Sequence, residues 1–138
     1  MNRDPGPSWR RVVVAVNPHV SLTLGELVDG WEAHVQRLAA ELGAESGDRT
    51  TWGAHDYLAT LTIRESIALG LSLVQEGERT HVIGQVAVTD REFEEFTEPD
   101  RRELLRTLLP SDLRHKSWWW HRVPKGGPVR YDLEQGYE

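Results

Sequence analysis

Apolar residues along this chain recur at two spacings, which separate helix from strand. From Leu24 onward, Leu27, Val28, Trp31, Val35, Leu38, Ala39 and Leu42 step by three and four, one stripe of an amphipathic helix. Thr23-Leu24-Gly25-Glu26 has the form of a capping box at its start, and Gly43 is placed to close it. Upstream, Trp9-Arg10-Arg11-Val12-Val13-Val14-Ala15-Val16 is nearly continuous in apolar residues and rich in valine, which predicts a strand buried on both faces and ended by Asn17-Pro18.

Two stretches fit both spacings. Between His55 and Val74, Ala59, Leu61 and Ile63 alternate, whereas Ile63, Ile67, Gly70, Leu71 and Val74 step as on a helix; the length favours a helix. Between His81 and Phe96, Val82, Val86 and Val88 fit a strand, with Thr89-Asp90-Arg91-Glu92 as a capping box behind it. One helical face through Val82, Val86, Thr89, Phe93 and Phe96 spans both halves unbroken, so the reading leans to helix. Glu98-Pro99-Asp100 resembles a helix start, with Leu104, Leu105, Leu108 and Leu109 as its buried stripe and Pro110-Ser111 as its end.

The most unusual stretch is Ser117-Trp118-Trp119-Trp120-His121-Arg122-Val123, followed by Pro124-Lys125-Gly126-Gly127-Pro128. Its segments Trp118–Val123 and Val129–Leu133 read as a hairpin able to pair with Val12–Val16. The fold class expected is α+β: a mainly helical single domain of about four helices over residues 9–138, with a small antiparallel sheet of the N-terminal strand and the Trp-rich hairpin. Residues 1–8, with two prolines and a glycine, read as a loose arm.

Composition narrows the function classes. Cysteine is absent from the 138 residues, which removes disulfides, thiolate metal sites and cysteine nucleophiles. No apolar leader and no membrane-length apolar run is visible, so the expected location is the cytoplasm. The net charge of −6 is unevenly placed: residues 101–130 carry a local balance of +6, leaving −12 on the rest. In 90–100, Asp90, Glu92, Glu94, Glu95, Glu98 and Asp100 face only Arg91. A net-acidic chain is a poor general binder of nucleic acid or anionic membrane, and neither is expected as a partner.

No phosphate-binding glycine motif, zinc-protease motif, nucleophile elbow or calcium loop occurs, so no cofactor is expected and no catalytic residue stands out. Six histidines are present, but His115 and His121 match no common ligand spacing, and no metal site is expected. The tryptophan triplet has two readings. As structure, an alternating strand would turn Trp118 and Trp120 to one face and Trp119 with His121 to the other, one of them capping the core. As function, an indole left exposed beside Arg122 would be an interface anchor.

Two functional expectations follow. The first is a non-catalytic protein-binding or inhibitory domain of immunity type. It would meet a partner of basic surface through Trp118, Trp119, Trp120, His121, Arg122, Glu92, Glu94, Glu95 and Glu98, with a homodimer through the same indoles as a variant. The alternative is a small-molecule pocket or small enzyme lined by Trp52, His55, Tyr57, Trp120 and His121.

Overall fold

A computed structural model describes residues 7–44, 50–109 and 116–135. The elements run β1 (Val13–Asn17), β2 (Val20–Thr23), α1 (Leu24–Ala40), α2 (Ala54–Leu71), α3 (Glu76–Phe96), β3 (Thr97–Pro99), β4 (Arg122–Pro124) and α4 (Gly127–Gln135). Three 3-10 turns lie at Ser8–Arg11, Leu104–Thr107 and Trp118–His121. The chain is therefore the mainly helical α+β domain expected, with four α-helices among the described residues.

Its sheets are built from other strands than the pattern predicts. β1 pairs with β2 in a local antiparallel hairpin, and β4 pairs with β3, Thr97 opposite Pro124 and Pro99 opposite Arg122. Among the described residues no strand pairing joins the N-terminal segment to the tryptophan segment. The valine run misleads because only Val14 of β1 is buried, while Val13 is 61% exposed. One face of β1 packs on the domain and the other meets solvent. Trp9 lies outside the strand, buried in the first 3-10 turn. The arm expected at residues 1–8 is tied down at its end, where Ser8 Oγ donates to Glu78; residues 1–6 lie outside those described.

α1 follows the sequence closely. Thr23 Oγ1 accepts from Glu26 N at 3.1 Å, and Glu26 Oε1 accepts from Thr23 N at 3.0 Å. The Thr23 amide, and then the Thr23 hydroxyl donating to the same Oε1 at 3.0 Å, favour the carboxylate and hold the Glu26 pKa below its usual value. The helix stops at Ala40, three residues before Gly43, where Glu41 Oε1 accepts the Trp52 amide at 2.8 Å. α2 and α3 are each one continuous helix, which settles both ambiguous stretches against a strand.

Trp31 of α1, Tyr57 of α2 and Phe93 of α3 meet at the centre. Phe93 lies 5.2 Å from Trp31 and 6.2 Å from Tyr57, ring centre to ring centre. Beside them a charged link joins all three helices: Asp90 takes a two-pronged bond from Arg64, at 2.9 and 3.0 Å, and a third from Trp31 Nε1 at 3.0 Å. Thr89-Asp90-Arg91-Glu92 starts no helix, because it lies inside the continuous α3, where Asp90 makes this link.

The region after α3 departs most from expectation. Pro99 ends β3 instead of opening a helix, and Asp100 caps a single 3-10 turn by accepting from Leu104 N at 2.8 Å and Leu105 N at 3.0 Å. The predicted stop at Pro110-Ser111 lies outside the described residues. Val129–Leu133 is helix α4 and not a strand: Pro128 occupies its first turn, where a missing N–H costs nothing.

Candidate functional site

A strand would send the three indoles alternately to two faces; a 3-10 turn sends successive side chains about 120° apart. Trp118–His121 is such a turn, closed by the Trp120 amide on the Ser117 carbonyl at 3.0 Å. The triplet accordingly splits in three directions. Trp119 and Trp120 are buried at 4% and 5% exposure, and Trp118 remains 38% exposed.

The two buried indoles dock on α2. The Arg64 guanidinium stacks over the Trp119 ring at 4.1 Å, and Trp120 Nε1 donates to Glu65 Oε1 at 2.7 Å. Consecutive α2 residues therefore receive consecutive tryptophans. Trp118 leans on Phe93 at 6.1 Å and on Trp119 at 5.6 Å, edge to face, and turns its remaining surface outward. The sequence reading missed Arg64 and Glu65. Charged residues inside the dense apolar run Leu61–Ile67 were the available sign, since a buried arginine needs a partner.

The acidic and basic stretches interlock and do not form separate poles. Arg122 Nε donates to Thr97 Oγ1 at 2.9 Å, and its Nη2 donates to the carbonyls of Thr97 at 2.9 Å and Glu94 at 3.3 Å. Lys125 Nζ donates to the Glu95 carbonyl at 3.1 Å. Both cations thus sit at the negative end of the α3 dipole, where the helix has no basic residue of its own. Asp90 and Asp100 are spent on internal bonds, and Glu98 pairs with Arg130 at 2.8 Å. Glu94 and Glu95 stay exposed, and Glu92 is half-buried. Among the described residues, these three carboxylates have no ion-pair partner.

Grooves of about 470 Å³ border the β3–β4 ribbon. One is lined by Glu94, Pro99, Trp118, His121 and Arg122. It gathers Trp118, His121, Arg122 and Glu94 from the residues expected to bind a partner; Pro99 is an addition that its reading as a helix start had hidden. The other holds Glu98, Asp100, Arg101, Arg102 and Arg130 among its lining.

The alternative constellation is not brought together. Tyr57 is fully buried, its hydroxyl donating to the Arg122 carbonyl at 2.6 Å, and burial pushes its pKa well above 10.0. Trp52 is packed between His34 and Arg37, each centred 4.6 Å away, while His55 lies exposed at the start of α2. Trp120 is sealed against α2, and His121 Nε2 donates to the Lys116 carbonyl at 3.1 Å. Trp52, Tyr57 and Trp120 are each committed to a different packing contact.

His34, given no role in the sequence reading, sits in an environment that perturbs it. Partial burial lowers its pKa, and its Nδ1 lies 2.9 Å from Thr60 Oγ1. Among the described residues no group of three or more His, Asp or Glu side chains is placed to hold a metal ion, and no helix is long and apolar enough to cross a membrane. His115 lies outside the described residues. No protein-family model matches the chain, and no curated protein or solved structure shows significant similarity to it.

Proposed function

We propose that this chain is a non-catalytic protein-binding domain of inhibitory or immunity type, engaging a partner of basic surface through Trp118 and the neighbouring carboxylates. The observation that carries the reading is Trp118 itself. Its two neighbours are buried on α2, yet this indole is left 38% exposed on the rim of a groove beside Glu94. Exposed tryptophan beside charged residues is the composition of interface anchors, and free carboxylates speed encounter with a basic surface. As part of the same proposal the encounter is cytoplasmic, which cell fractionation tests.

The test of the binding reading is a photo-crosslinking residue at position 118 in native lysate, with position 131 on α4 as an exposed control. One stoichiometric protein is expected from 118 and none from 131, lost when Glu94 and Glu95 are changed to lysine. No crosslink from 118 contradicts the reading. Crosslinking of the chain only to itself replaces it with self-association, which sedimentation then confirms.

A further inference from the structure

We propose that the Trp118 groove receives one basic side chain, an arginine or lysine, from the partner. The inference rests on the protein-binding reading and names the group that surface recognises.

Three features converge on a cation. The inner side of the Trp118 ring rests on Phe93 and Trp119, so its free surface lines the groove. Indole is the side chain whose face attracts cations most strongly. Glu94, on the same groove, has an exposed carboxylate without an ion-pair partner among the described residues. Pro99 supplies a flat apolar wall on which the methylene stem of arginine or lysine can lie.

The local electrostatics point the same way. Glu92, Glu94 and Glu95 crowd the last turns of α3, with Glu92 and Glu95 three residues apart. Carboxylates there repel each other and oppose the helix dipole. Arg122 also lines the groove, but its guanidinium is turned onto the carbonyls of Glu94 and Thr97, as Lys125 is onto that of Glu95. These two cations satisfy the end of the helix through its carbonyls, and Glu92, Glu94 and Glu95 keep no ion-pair partner among the described residues. An incoming guanidinium relieves an arrangement the domain maintains at its own cost.

The experiment follows the Trp118 indole Nε1–H resonance, assigned through W118F, in labelled protein. The probes are three short peptides, acetyl-Gly-Xaa-Gly-amide with arginine, citrulline or norleucine at Xaa. Citrulline keeps the shape of arginine without its charge. The arginine peptide is expected to shift the resonance saturably. E94Q and about 0.5 M salt should each weaken it about five-fold or more, while E32Q on the exposed face of α1 leaves it unchanged. Equal shifts with citrulline or norleucine overturn the cation inference and leave the protein-binding reading standing. No shift with any peptide also overturns it, and the crosslink from position 118 then decides the broader reading independently.

Discussion

Arg64 holds two aromatic systems in place from one position. Its guanidinium stacks 4.1 Å over Trp119 from the C-terminal segment while bonding Asp90, which in turn accepts from Trp31. Neither Arg64 Nη1 nor Trp119 Nε1 finds an acceptor among the described residues, so stacking and the Asp90 pair must offset two buried donors.

The pair itself gives the first expectation. D90A leaves a buried guanidinium and an indole N–H without their acceptor, which should cost about 3–5 kcal/mol in urea unfolding. A loss under about 1 kcal/mol would mean that Arg64 simply swings out to water.

Tyr57 gives a second. Removing its hydroxyl in Y57F leaves the Arg122 carbonyl without that donor and should cost about 1–2 kcal/mol. Burial raises the folded-state pKa above that of the unfolded chain, so the folded state holds the phenolic proton more tightly. Stability is therefore intact below pH 10.0 and falls as pH rises above it. Y57F should flatten that alkaline fall, measured by unfolding from pH 9 to 11; an unchanged profile would assign it to other groups.

For His34 the sign is reversed. Desolvation lowers its folded-state pKa beneath the unfolded value of 6.5, so its contribution is complete above 6.5 and is lost as pH falls below it. Melting temperature should drop between about pH 7 and 5, and more shallowly in H34Q. Identical slopes for the two proteins would remove His34 from the acid response.

Gly127 tests how the tail docks. It opens α4 with φ +84°, and an added Cβ would lie 2.7 Å from the Leu42 carbonyl oxygen at the end of α1. G127A should destabilise by about 1–3 kcal/mol through backbone strain and that clash. Gly43, where a Cβ meets nothing within 4 Å, is the matched control.

The legible parts of the fold were those decided by neighbours in sequence. The Thr23–Glu26 box and the stripe from Leu24 to Leu38 locate α1, and a continuous helical face from Val82 to Phe96 outweighs β-branched propensity in α3. The tail was illegible because its geometry is set from a distance. β4 exists only by pairing with β3, and the tryptophans take a 3-10 turn to meet Arg64 and Glu65 on α2. Pro124 and Pro128 bound the stretch between the two segments of the expected hairpin, yet one ends a strand and the other lies in the first turn of a helix. The candidate site was half legible. Residue types foretold an exposed indole beside an arginine, but which indole depended on the turn.

The division of labour within the triplet is tested by urea unfolding of W118A beside W119A. Trp119 in the core and Trp118 on the surface should give a loss of about 3–5 kcal/mol for W119A and about 1 kcal/mol or less for W118A. Equal losses would make Trp118 part of the core and leave no spare indole to meet a partner.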